Sequence, residues 1–149
     1  SGCKNYATNY TNFHKLIYII MSDNNEYYYK KDENYTIVGL CMEVHRILGP
    51  GLLEIVYKDA LEIEFKNHNI PYMREKKYDV EYKGSILPHN FYADFVVYED
   101  IILEVKSVKE VTNEHLSRTL NYMKLADTPI GIIVNFQNKS LTHKRLISN

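Results

Sequence analysis

The 149-residue sequence has little cysteine, almost no net charge and no apolar run of membrane-spanning length. Its two cysteines, Cys3 and Cys41, do not have the spacing of a metal site or a redox motif. A formal net charge of −1 excludes a protein-wide basic field, so nucleic-acid binding would need a local basic patch. The apolar segment LIYIIM is too short to span a membrane and lacks the flanks of a signal peptide. We therefore expect an intracellular protein, cytoplasmic by default, without a membrane partner.

The first 35 residues differ in composition from the rest of the chain. They are polar, rich in Asn and Tyr, and show neither helical nor strand periodicity. We predict that residues 1–35 form a poorly ordered N-terminal extension. Residues 36–149 carry regular apolar patterns over a length that suits one domain.

Residues 36–149 contain three helical patterns and five strand patterns. The helices are expected to end at the GPG of residues 49–51, near residues 67–71, and at about Ala126 after a cap at Thr112. The second should bury a stripe that runs from Leu53 to Phe65. The strand-like runs are KYDVEYK (77–83), FYADFVVY (91–98), IILEVK (101–106), IGIIVNF (130–136) and LTHKRLI (141–147). The order helix-helix-strand-strand-strand-helix-strand-strand predicts an α/β fold with a mixed central sheet flanked by helices.

Charged residues interrupt two of the apolar strands, Asp94 in one and Glu104 with Lys106 in the next. A three-residue loop at positions 98–100 would form a hairpin in which Asp94 lies opposite Glu104. Because side chains alternate along a strand, all three charges would then share one face. The alternative is a partly solvated Glu104–Lys106 pair on an outer face, with Asp94 as an ordinary surface residue.

Two carboxylates held close together repel each other and raise one pKa unless a cation lies between them. Mg²⁺ takes carboxylate oxygens, keeps several waters and binds phosphates. A neighbouring lysine can orient a water and stabilise charge on a phosphate. The combination of Asp94, Glu104 and Lys106 therefore suits metal-dependent phosphodiester hydrolysis by a metal-activated water.

An Asp followed by Glu-x-Lys on a hairpin, after a helix that carries a glutamate, resembles the PD-(D/E)xK nuclease superfamily. Within it, GLLEIVY at residues 51–57 resembles the signature of the GxxExxY family. The segments YADFVV, LEVK, HLSRTLNY and GIIVNF follow in that family's order, so the resemblance covers roughly residues 36–147. It implies a restriction-endonuclease-like core and a nuclease-like domain over residues 36–149.

The resemblance also implies a set of catalytic residues. Asp94 and Glu104 would be the metal ligands, the backbone carbonyl of Val105 a further ligand, and Lys106 the catalytic lysine. Glu54 would be the catalytic helix glutamate and an additional candidate ligand. Its alternative role is a favourable interaction with the helix dipole. The implied cofactor is Mg²⁺ or Mn²⁺.

Four residues are candidates for substrate binding: Arg118, Tyr122, His115 and Tyr57. The family pattern on the third helix resembles His-x-x-Gln-x-x-x-Tyr, and this chain has Arg118 in place of the glutamine. A guanidinium there would either bind a phosphate or pair with a catalytic carboxylate and compete with the metal. The alternatives are a structural role for His115 and a core position for Tyr57.

The resemblance implies a Mg²⁺-dependent nuclease whose partner is nucleic acid, with DNA favoured over RNA. The alternative is a catalytically weak or inactive nuclease-fold module that binds nucleic acid or a protein. A single domain of this size offers little sequence readout, so a homodimer or a partner would have to supply specificity.

Overall fold

A computed structural model describes residues 30–148 of the chain. The predicted α/β class and element order are confirmed. The elements are α1 (Lys31–Leu48), α2 (Glu54–Asn67), β1 (Tyr72–Tyr78), β2 (Glu81–Tyr82), β3 (Ser85–Ile86), β4 (Phe91–Val97), β5 (Ile101–Lys106), α3 (Asn113–Ala126), β6 (Ile130–Asn135) and β7 (Thr142–Ile147). No helix within residues 30–148 has both the length and the apolarity that crossing a membrane requires.

The predicted N-terminal extension lies mostly outside the described residues, which begin at residue 30. The helix α1 starts at Lys31, before the predicted domain boundary at residue 36. Its first turn carries Asp32 and Glu33, whose negative charges suit the positive end of the helix dipole. The polar residues 31–35 therefore belong to a helix, although they lack the apolar spacing that marks the rest of it.

Five strands form the main sheet, in the order β1-β4-β5-β6-β7. β5 and β6 are parallel and joined through α3, whereas the other neighbours are antiparallel. Helices α1 and α2 pack on one face and α3 on the other. The alternation of the central strands supplies both cores, with Phe95, Leu103 and Ile132 on the α1–α2 side and Val96, Ile102 and Ile133 on the α3 side.

The first strand begins earlier than the sequence predicts. β1 covers Tyr72–Tyr78, whereas the predicted strand covered residues 77–83. The later residues form a separate two-stranded ribbon of β2 and β3, turned at Lys83 and Gly84 with φ of 49° and 81°. β1 is an edge strand with alternating half-buried and exposed residues. Its charged residues are typical of an edge strand. Because they interrupt the apolar pattern, the sequence did not predict this strand at its true position.

The hairpin of β4 and β5 has the predicted register. Phe95 pairs with Leu103, Val96 with Ile102 and Val97 with Ile101, which leaves the three-residue loop 98–100. Tyr98 and Glu99 take up the turn with positive φ values of 51° and 71°. The same register continued by one residue would bring Asp94 opposite Glu104.

The contact between α3 and β6 depends on the missing side chain of Gly131. A Cβ at this position would lie 2.6 Å from Met123 Sδ and 3.1 Å from Thr119 Cγ2. Both neighbours are buried, so neither can move into solvent. We expect Gly131→Ala to lower the free energy of unfolding by about 1–3 kcal/mol through overpacking. Gly39 is the matched control, because it lies on the exposed side of α1 and a Cβ there would meet no neighbouring group within 4 Å.

Gly39→Ala should raise the stability by up to about 1 kcal/mol, because alanine favours a helix interior more than glycine does. Urea unfolding of both variants, followed by circular dichroism, measures the two effects. A Gly131→Ala protein as stable as the wild type would show that α3 can move away from β6 without cost.

Candidate active site

The ladder between β4 and β5 ends one step before the two acidic residues. Beyond the Phe95–Leu103 pair, side chains replace the backbone contacts. The Asp94 N–H donates to Glu104 Oε1 at 3.0 Å, and the Val105 N–H donates to Asp94 Oδ2 at 2.8 Å. The structure thus brings Asp94 and Glu104 together, each carboxylate bonded to the backbone of the opposite strand.

The two carboxylates do not share one face of a regular ladder, and this part of the prediction is wrong. Ala93 packs with the α3 core, whereas Phe95 packs with the α1–α2 core, although alternation would put both on one side. β4 therefore changes its facing at Asp94, and this carboxylate contacts Lys58 of α2. Asp94 and Glu104 meet in the gap between the strands instead.

Glu104 is a buried carboxyl group, only 3% exposed. Burial, followed by the negative charge of Asp94, raises its pKa to about 8, although the charge of Lys106 acts in the opposite direction. The alternative of a solvated Glu104–Lys106 pair on an outer face is therefore wrong. Lys106 itself is half-buried at the end of β5.

Lys58 was not predicted as a site residue, but its ammonium group contacts Asp94 of the candidate site. Its Nζ donates to Asp94 Oδ1 at 2.9 Å and also bonds Glu75 Oε1 of β1. Burial lowers the pKa of Lys58, but the bonds to Glu75 and Asp94 outweigh it and hold this pKa above its usual value. The sequence did contain a signal for the burial of Lys58. Lys58 precedes Leu61 by three residues and Phe65 by seven, so helical spacing puts it on the buried side of α2.

Glu54 opens α2 next to the end of β5. Its Oε1 accepts a hydrogen bond from the Ser107 N–H at 3.4 Å. Within residues 30–148, no three or more histidine, cysteine, aspartate or glutamate side chains form a group that could hold a metal ion. Glu54 therefore lies beside the strand of Glu104 and Lys106 without joining the two central carboxylates.

Tyr57 does not contact the open site and has a structural role instead of the predicted substrate contact. It is fully buried and stacks on Phe136 with ring centroids 4.2 Å apart. Its hydroxyl donates to the Gly49 carbonyl at 2.7 Å and accepts from the Leu52 N–H at 2.9 Å. Tyr57 thus fixes the loop between α1 and α2, as a core tyrosine would.

The α3 candidates differ in their roles. His115 belongs to a capping box, in which the Thr112 N–H donates to His115 Nδ1 at 3.1 Å. This is the structural role that the sequence left open. Arg118 is exposed, and its Nε donates to the hydroxyl of the buried Tyr122 at 3.1 Å. Tyr122 therefore positions the guanidinium.

Arg118 carries its charge toward the two carboxylates without a direct bond to either. The hydrogen bond to Tyr122, and then the charges of Glu104 and Asp94, hold the pKa of Arg118 above its usual value despite partial burial. Of the two roles that the sequence left open for Arg118, the direct pair with a catalytic carboxylate is not formed, and the guanidinium bonds Tyr122 instead. The guanidinium is exposed at the surface and interacts electrostatically with both Glu104 and Asp94.

Comparison with known proteins identifies a family and a similar fold. A family model described as the PD-(D/E)XK nuclease superfamily matches residues 31–146. The structure is similar to the crystal structure of SSO0001, with a TM-score of 0.50 and 17% sequence identity, over 95% of this chain and 79% of that chain. At this identity the likeness shows a shared fold alone. No curated protein matches the chain significantly.

The raised pKa of Glu104 predicts a pH dependence of folding stability. Below about pH 4.5 the group is protonated in both the native and the unfolded states, and its contribution is fully present. Between about pH 4.5 and 8 the unfolded chain releases a proton that the native protein retains. Stability should therefore fall as the pH rises through this window, by up to about 1.4 kcal/mol per pH unit.

Glu104→Gln is the matched control, because an amide does not titrate. Urea midpoints of both proteins, measured with a chelator from pH 5 to pH 8, isolate the effect, since other titrating groups cancel in the difference. If the two proteins show the same pH dependence, Glu104 is already ionised in the native state.

Proposed function

The chain belongs to the PD-(D/E)XK nuclease superfamily, and from this we propose that it is a metal-dependent nuclease that hydrolyses phosphodiester bonds, in DNA before RNA. The observation that carries the proposal is the break between β4 and β5. There the carboxylates of Asp94 and Glu104 meet beside the ammonium groups of Lys58 and Lys106. A fold alone would not support a reaction, but this group of charges does.

The donor set suits Mg²⁺ or Mn²⁺. Asp94 and Glu104 offer hard carboxylate oxygens, the Val105 carbonyl is the proposed third ligand, and Glu54 is a further candidate. A bound divalent cation would supply positive charge to a phosphate and acidify a water.

The remaining roles fall to side chains around the two carboxylates. Lys106, two residues beyond Glu104 on β5, would stabilise negative charge on the phosphate. Arg118, exposed and held by Tyr122, would bind a phosphate of the substrate. Both side chains add positive charge near the two carboxylates, on a chain with almost no net charge, which supports binding of a polyanion there.

We further propose membership of the GxxExxY family, in which the three signature residues hold one loop against the site. The Gly51 N–H donates to the Phe136 carbonyl at 3.3 Å, and Gly51 has φ of 82°, which favours glycine. Tyr57 bonds the same loop, and Glu54 reaches the Ser107 N–H. The spacing of the signature thus places Gly51 in the turn, Glu54 at the first residue of α2 and Tyr57 in the core.

One observation favours the second candidate, a weakly active module that binds nucleic acid or a protein. Both oxygens of Asp94 already accept hydrogen bonds, one from Lys58 and the other from the Val105 N–H. Arg118 adds another positive charge near the same carboxylates. Together these charges would weaken metal binding.

Cleavage of single- and double-stranded DNA and RNA with Mg²⁺ or Mn²⁺ tests the nuclease. Lys106→Ala should lower the cleavage rate by at least about 100-fold, because a donor to the reacting phosphate is removed. Lys109→Ala removes an exposed lysine from the loop after β5 and should retain wild-type cleavage. No cleavage by the wild type, or equal cleavage by the Lys106→Ala protein, would favour the binding module.

The phosphate contact of Arg118 is tested by the salt dependence of binding in the presence of Ca²⁺. Arg118→Ala should weaken nucleic-acid binding and lower the slope of log K against log salt by about one. Lys124→Ala, which removes an exposed charge near the C-terminal end of the same helix, is the control and should leave the slope close to that of the wild type. Equal slopes for wild type and Arg118→Ala would remove Arg118 from the interface.

A further inference from the structure

Lys58 joins two strands at the candidate site. From α2 it bonds the carboxylate of Asp94 on β4 and the carboxylate of Glu75 on the neighbouring strand β1. Lys58 is 7% exposed, so its ammonium has exchanged most of its water for these two partners. The two partners differ, because the side chain of Asp94 is 15% exposed and that of Glu75 is 47% exposed.

The backbone at Glu75 is unusual for a strand. Its φ is 52°, in the left-handed region, although it lies in the middle of β1. The pairs on either side are Arg74 with Phe95 and Lys76 with Ala93, so Glu75 interrupts β1 across from the position where β4 changes its facing. Strained residues of this kind persist where the surrounding structure holds them, often at functional sites. Here the strained residue supplies the second partner of Lys58.

We propose that Lys58 is an exchangeable counter-ion of the proposed metal site, holding Asp94 in the metal-free protein and transferring its contact to Glu75 when a divalent cation binds Asp94. The inference rests on the proposed function, since it assumes a metal at Asp94 and Glu104. It makes Lys58 and Glu75 positioning residues that act on the metal ligand.

The physical basis is competition between two cations for one carboxylate. Asp94 Oδ2 is held by the Val105 N–H, and Oδ1 is held by Lys58. A divalent cation at Asp94 would repel the ammonium, and a buried ammonium without a partner is unfavourable. Glu75 already bonds the same Nζ, so Lys58 can give up Asp94 and remain paired without a movement of α2. Glu75 is more exposed than Asp94 and is not a proposed metal ligand, so its bond to Lys58 leaves the ligands unoccupied.

Two substitutions should change metal affinity in opposite directions. Lys58→Met removes the competing charge and should tighten Mn²⁺ binding by about tenfold or more, since one neighbouring charge commonly shifts a carboxylate equilibrium by that factor. Glu75→Gln removes the alternative partner, leaves Lys58 on Asp94, and should weaken Mn²⁺ binding several-fold. Lys58→Arg keeps the charge and should not tighten binding. Calorimetric titration of the full chain with Mn²⁺ measures all three.

Thermal unfolding with and without Mn²⁺ provides a readout that does not require a well-behaved titration. Lys58→Met should melt below the wild type in chelator, because Asp94 and Glu75 lose their shared cation. It should gain more from Mn²⁺ than the wild type does. A melting temperature that Mn²⁺ does not restore would show that Lys58 is a structural ion-pair partner and would overturn the proposal.

The outcomes separate this inference from the proposed function. Asp94→Asn, alone and combined with Lys58→Met, serves as the reference without a metal ligand. If the wild type binds Mn²⁺ and both Lys58→Met and Glu75→Gln match it, or both weaken binding, the counter-ion role is wrong and the metal site stands. If Lys58→Met alone binds, Lys58 blocks the site and does not exchange, so the counter-ion role is wrong although the carboxylates can hold a metal. If no protein binds more Mn²⁺ than Asp94→Asn, the metal site fails and the inference fails with it.

Discussion

The interruption of the β4–β5 ladder after Phe95 and Leu103 determines the rest of the site. Two central strands inside a protein must satisfy their backbone donors, and here the carboxylates of Asp94 and Glu104 do so in place of carbonyl groups. This arrangement explains how charged groups persist between two apolar cores. Asp94 also bonds Lys58, whereas Glu104 has a raised pKa in the same crowded position. Because burying two negative charges side by side is unfavourable, a positive charge in the gap would stabilise both carboxylates.

The loops around this gap are held in place by hydrogen bonds from side chains to the backbone. Asn135 is buried at the end of β6, and its amide bonds both the N–H and the carbonyl of Val108. Ser107 donates from its hydroxyl to the Leu52 carbonyl at 2.6 Å. The segment that follows β5 is therefore tied to β6 and to the loop before α2. These contacts keep the start of α2, with Glu54, beside the end of the strand that carries Lys106.

Much of the fold and the central pair could be predicted from the sequence, because apolar periodicity and hairpin parity are local signals. The register that brings Asp94 toward Glu104 follows from the length of the 98–100 loop. The facing of Asp94 could not be predicted, since it depends on a backbone irregularity shared with β1. Lys58 was missed because a lysine beside an apolar stripe is usually solvated, and its partner Glu75 lies on a strand whose charged edge concealed it. Tyr57 and His115 were assigned to substrate from the resemblance. The core position of Tyr57 depends on tertiary packing against Phe136, whereas the cap bond of His115 is a local contact within one helical turn.

The three-residue turn at Tyr98, Glu99 and Asp100 has a consequence for how this domain tolerates insertions and deletions. The Tyr98 N–H donates to the Pro71 carbonyl at 2.9 Å, so the turn is also anchored to the segment before β1. Changing its length by one residue would shift every cross-strand partner and exchange the two faces of one strand. The chain could still form a sheet, but Glu104 would no longer meet Asp94. The site therefore depends on the length of this turn as much as on the acidic residues, although none of the turn's side chains belongs to the site.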